Sequence, residues 1–152
     1  MATLEALDGV KDHYTCGNML LHQLSAKSAF FSAGQFYVFN GGAYEVLPED
    51  DIRYAIIHTL KERASTTNVG FIIHRLAVEL AAEPNTNPHL LAFSNGVFDL
   101  EKGILLKDVS LIREHRITGL MPFNYVPKAL PAVWLNFLED VFKGDDDQAQ
   151  KV

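Results

Sequence analysis

Residues 90–106, LLAFSNGVFDLEKGILL, contain three short aliphatic and aromatic runs separated by Asn95-Gly96 and Lys102-Gly103. Pairs of this kind mark turns, because glycine tolerates positive φ and asparagine can bond nearby backbone. The pattern predicts strands over 90–93, 97–100 and 104–106, joined as hairpins. Asn95 and Gly96 are expected to take positive φ. Val97, Phe98 and Leu100 are expected to pack, and Asp99 to accept hydrogen bonds from turn amides. No side chain here is an activated nucleophile, so the stretch reads as a structural unit.

A second hairpin is predicted upstream, where strands over 35–39 and 43–46 flank Gly41-Gly42. Pro48, Glu49, Asp50 and Asp51 then suit the first turn and positive dipole end of a helix, with Ile52, Ile56, Ile57, Leu60 and Ala64 as its stripe. The polar run 65–68 offers N-caps for a helix over 69–82. Val69, Ile72, Ile73, Leu76, Ala77 and Leu80 form one side of it, and Phe71 and Val78 the other, which predicts a buried central helix. Residues 18–28 fit a short helix with Met19, Leu20, Leu21 and Leu24 on its apolar side. Residues 112–117 are expected to be extended.

Pro131 opens a further helix with Trp134, Leu135, Phe137, Leu138, Val141 and Phe142 on one arc. Gly144 is expected to end it, and the acidic residues 145–147 to start another. The fold class is α+β: a single domain of helices packed against small antiparallel β-hairpins.

With 152 residues, 48% hydrophobic and 21% charged, the chain can bury a core of its own and is not disordered. No apolar run approaches the length of a membrane span, so a soluble protein is expected. Its one cysteine, Cys16, rules out an internal disulfide and fits a reducing, cytoplasmic setting. The net charge of -6 argues against a strong autonomous nucleic-acid binder, while leaving room for a local basic patch.

The six histidines show no metal-ligand spacing, no catalytic or metal residues are assigned, and no glycine-rich phosphate loop is present. Glu114-His115 is set aside as an acid–base pair, since neighbours on a strand face opposite ways. Arg75 and Glu79, four apart, read as a surface ion pair. The cations with the best placement for DNA are Lys61 on the second helix and the group Lys107, Arg113, His115 and Arg116.

From about residue 35 the order of blocks resembles the domain that precedes the superfamily 3 helicase in phage, plasmid and poxvirus-type primase-helicases. LLAFSNGVFDLEKGIL matches that family's Asn-Gly-aliphatic-hydrophobic-Asp-Leu motif through Asn95, Gly96, Asp99, Leu100 and Gly103. QFYVFNGGAYEVLPEDDIRYAII resembles its aromatic hairpin and helix, with Tyr44 where tryptophan is common. PFNYVPKALPAVWLNFLEDVFKGDDD resembles its Pro-Xaa-Xaa-Trp helix, with Trp134 as the tryptophan.

The resemblance implies three parts: a poorly matched lead-in helix over 1–30, an accessory domain over 31–144, and over 145–152 the start of a helix leading to a helicase domain. It places no catalytic residues here. It implies a non-catalytic linker between a priming or origin-binding part and a hexameric ATPase motor. ATP and Mg would belong to that motor alone. Its partners would be DNA, the adjacent helicase and primase domains, and other copies of the protein, inside a bacterial host cell. The alternative is a stand-alone interaction module presenting Phe30, Phe31 or Tyr125. A small hydrolase is disfavoured, because no activated nucleophile is visible.

Overall fold

The computed structural model describes Leu4, Val10, residues 12–129 and residues 132–149, with side chains as far as Val141. Helix α1 (His13–Ala26) begins where Asp12 caps it: the carboxylate accepts the Thr15 amide at 2.9 Å and its hydroxyl at 2.7 Å. This start precedes the expected one at residue 18. The extra turn brings Cys16 into line with Leu20 and Leu24, and all three are fully buried. Burial pushes the Cys16 thiol up to about 11.

Three antiparallel strands follow: β1 (Phe30–Ser32), β2 (Gln35–Phe39) and β3 (Tyr44–Leu47). Strand β1 was not expected. It turns into β2 through Ala33 and Gly34, with φ of 50° and 79°, the pair of positive values that suits a tight hairpin. Side chains alternate along β2. Phe36 and Val38 join Leu47 against the helices, whereas Tyr37 and Phe39 face the other way with Phe30 and Tyr44. Phe30 stacks on Tyr37 at 4.9 Å and meets Tyr44 edge-on at 5.0 Å. Phe30 is therefore core, and Phe31 is half-buried against Phe36, so neither forms the exposed docking surface expected of an interaction module.

Helix α2 (Glu49–Leu60) carries its acids in the first turn, as expected. Ala55 and Thr59 complete its buried face, while Ile57 is exposed, because the buried arc lies closer to Ile52 and Ile56 than the expected stripe did. A 3-10 turn (Lys61–Arg63) leads to helix α3 (Thr66–Glu79), which Ser65 caps by accepting the Asn68 amide at 3.1 Å. Only one of its two apolar sides is buried: Val69, Ile72, Ile73 and Leu76 pack inward, but Phe71 and Val78 are solvent-exposed. Arg75 and Glu79 do pair, at 3.8 Å, and Arg75 also donates to Asn18 on α1 at 2.7 Å.

The second sheet has the order β6-β5-β4-β7, built from β4 (Leu90–Phe93), β5 (Gly96–Asp99), β6 (Ile104–Leu106) and β7 (Leu120–Met121). The two expected hairpins are present, with Leu90 opposite Asp99 and Val97 opposite Leu106. Strand β7, however, runs parallel to β4, so the sheets are not purely antiparallel. The return path uses helix α4 (Ser110–Glu114), which replaces the extended segment expected at 112–117. Asp108 accepts the Ser110 amide at 3.0 Å and starts that turn. Glu114 and His115 thus stand at the end of a helix and not on a strand.

A second core of Phe30, Tyr44, Leu90, Ala92, Val97, Ile112 and Ile117 lies beyond the first sheet. That sheet is a wall between two cores, one helical and one formed with β4, β5 and α4. Helix α5 (Ala132–Ala149) runs unbroken past Gly144, which corrects the expected stop and restart there. Its arc of Trp134, Leu135, Phe137 and Val141 is exposed. Among the described residues, no helix is long and apolar enough to cross a membrane.

Candidate nucleic-acid interface

The fold separates most of the four cations and one histidine selected from the sequence. Lys61 follows the C-terminus of α2 at φ 52° and is exposed, and Lys107 is exposed in the link between β6 and α4. His115 turns toward the loop after α3: its Nδ1 lies 3.2 Å from the Thr86 hydroxyl, and its carbonyl accepts the Thr86 amide at 3.0 Å. Its role there is to pin one loop to another.

Arg113 and Arg116 share one cleft. It measures about 680 Å³ and is lined also by Ser28, Phe30, Tyr44 and Leu80. Arg113 lies in the last turn of α4, and Arg116 comes just past its cap, His115, where a left-handed residue turns the chain. Arg116 has a φ of 48°, and its Nε donates to the Glu83 carbonyl at 2.6 Å. That bond fixes the guanidinium plane against the segment following α3.

Tyr44 closes one side of the cleft. Its hydroxyl lies 3.2 Å from the Ser28 carbonyl and 3.3 Å from the Arg113 carbonyl, so one phenol ties the end of the α1–β1 link to α4. Burial raises its pKa, opposed by the positive charges of Arg116 and Arg113, and the hydroxyl stays a proton donor near neutral pH. No local pattern around Tyr44 marks this role, because its partners are carbonyls 16 and 69 residues away.

Two carboxylates also border the cleft. Glu79 is drawn toward Arg75, and Glu114 follows Arg113 on α4. Among the described residues, no group of three His, Cys, Asp or Glu side chains converges to hold a metal ion. What the cleft offers chemically is two guanidinium groups, planar forks of N–H donors suited to an oxyanion, beside a phenol already bonded to backbone carbonyls.

The glycine-turn unit is organised around its polar residues. The Asn95 side chain donates to the Tyr125 carbonyl at 2.9 Å and accepts the Tyr125 amide at 2.8 Å. Positive φ falls on Gly96, at 150°, and not on Asn95. Asp99 accepts the Glu101 and Lys102 amides at 3.0 and 3.1 Å and pairs with the Lys102 ammonium at 3.0 Å. Gly103 takes φ 65°. Leu100 is 51% exposed and does not pack as expected, because it lies just past the end of β5. Trp134 stacks on Phe137 at 5.4 Å and is itself exposed.

Over residues 12–143 the chain matches the family described as D5 N terminal like. It belongs to that family. D5 N-terminal-like domains precede the superfamily 3 helicase in phage and plasmid primase-helicases. The match reaches upstream of residue 35, where the resemblance began, and takes in α1, both sheets and the Arg113–Arg116 cleft. The D5 N-terminal-like domain is not itself a known catalytic domain. No curated protein matches the chain.

Proposed function

We propose that this chain is the non-catalytic accessory domain of a phage, plasmid or viral DNA-replication primase-helicase. It connects a priming or origin-binding part to a hexameric motor, and it assists assembly or engagement of DNA. ATP and Mg act in the motor. The observation that carries this reading, beside the family, is the exposed face of α5. Trp134, Phe137 and Val141 recur at spacings of three and four residues, each more than half exposed. An apolar helical face of this kind fits burial against a neighbouring domain. It lies at the C-terminal side, toward which the family's helicase follows.

The test is made on the replication protein carrying this domain and on this chain alone. Trp134→Ala combined with Phe137→Ala is expected to leave the circular dichroism of this chain unchanged. In the longer protein the same pair should lower the hexamer fraction seen by light scattering. ATP hydrolysis by this chain alone, or normal hexamer assembly with both substitutions, would sink the reading.

A further inference from the structure

The two arginines that line the cleft differ in how they are held. Arg116 uses its Nε on the Glu83 carbonyl, and among the described residues its Nη groups have no further partner. The Arg113 side chain, exposed on α4, has no ion pair or hydrogen bond among the described residues. One cation is thus fixed in orientation, and the other is free to close on a ligand.

The local charge favours an anion. Glu79 is matched by Arg75 at 3.8 Å, which leaves two guanidiniums facing the single carboxylate of Glu114. Guanidinium groups present planar forks of N–H donors that match the oxygens of a phosphate. The cleft volume, about 680 Å³, lies in the range that holds a nucleotide-sized group. A duplex backbone would need several cations spread over a broad surface, whereas this site offers two in a concavity of an acidic chain.

We infer that the cleft between Arg113, Arg116 and Tyr44 is a docking point for a phosphate group of single-stranded nucleic acid. This deepens the DNA-engagement part of the proposed function and rests on it for the origin of the strand. Binding is electrostatic, weak and independent of base sequence, because every contact goes to phosphate. Glu114 opposes it, which limits the site to a transient hold.

Fluorescence anisotropy of a labelled single-stranded oligonucleotide, titrated with this chain at several salt concentrations, tests the inference. Arg113→Gln should weaken binding roughly fivefold to tenfold and make the salt slope shallower by about 0.7, the value for one lost single-strand phosphate contact. Lys61→Gln should leave binding unchanged. Glu114→Gln should tighten it, since the opposing charge is removed; weaker binding in that variant would identify a cationic ligand and overturn the inference.

Arg113 has no partner to lose, so its substitution does not put the fold at risk. Inorganic phosphate, added at constant ionic strength, separates the two sources of the anion. Displacement of the oligonucleotide shows that a free phosphate shares the cleft, and no displacement shows that the strand is needed; both support the site if Arg113→Gln impairs it. Oligonucleotide binding that ignores Arg113→Gln, or no binding at low salt, overturns it. Neither failure touches the accessory role, which is read from ATP turnover and hexamer assembly.

Discussion

The Asn95 side chain and the Tyr125 backbone are joined by two hydrogen bonds, at 2.9 and 2.8 Å, in which the amide acts as donor and acceptor together. They bring a segment 30 residues further along the chain against the β4–β5 turn, where the Tyr125 ring lies 4.5 Å from that of Phe98 and 5.5 Å from that of Phe93. Asparagine is needed because only an amide offers both groups in that geometry. Asn95→Asp keeps the acceptor, loses the donor and sets a carboxylate beside a carbonyl oxygen. It is expected to cost about 1–2 kcal/mol by urea denaturation, and Asn95→Ala about 1 kcal/mol. Equal midpoints for Asn and Asp would show that the clamp does not form.

Gly96 is required by close approach as well as by φ. A Cβ at this position would lie 2.4 Å from the Leu106 carbonyl oxygen on β6, a backbone atom that cannot move without opening the β5–β6 ladder. Gly96→Ala is expected to destabilise the protein by roughly 2–4 kcal/mol. Gly103→Ala, at φ 65° with open space around it, should cost about 1 kcal/mol. If the two variants unfold at the same denaturant concentration, the contact with Leu106 is not limiting.

Asp99 links stability to pH. Hydrogen bonding and charge from Lys102 hold its carboxyl below the ordinary value of 3.8. The folded pKa is depressed, so its stabilising contribution is fully present above about pH 4 and is lost as pH falls through the lowered value. Asp99→Asn should lower the Tm near neutral pH and flatten its acid-side dependence. An unchanged acid slope in that variant would assign the titration to other carboxylates.

Tyr44→Phe isolates the hydroxyl from the ring. The contacts with Phe30 and Phe39 persist, while the link from Ser28 to Arg113 is lost. The expected cost is about 1 kcal/mol. Oligonucleotide binding should also weaken, because α4 then loses its tie to the α1–β1 link. Full retention of both stability and binding would show that the phenol bond is dispensable.

The glycine hairpins and the acid-led start of α2 were legible because they depend on residues near one another in sequence. Strand β1 was not. Its adjacent phenylalanines, Phe30 and Phe31, pack toward opposite cores, so the alternation that marks a half-exposed strand is missing. Helix α4 is hidden in the sequence because Ile112 and Ile117 alone do not define a period, and the turn that leads into it, Asp108 accepting the Ser110 amide, lies outside the stretch. Arg113 and Arg116 were selected from the sequence as part of one cluster, but their common cleft depends on the end of α4 and the left-handed Arg116. The departure of His115 toward Thr86 is equally hidden, since it depends on where the loop after α3 returns.

The first sheet has one core against each face, and β2 supplies both: Phe36 and Val38 to one, Tyr37 and Phe39 to the other. A slip of one residue in this strand would send each set into the wrong core, so both cores fix the same register. Neither core can melt while leaving the shared strand in place for the other. The two halves are therefore thermodynamically coupled, and the described body should unfold in one all-or-none step, with equal calorimetric and van't Hoff enthalpies.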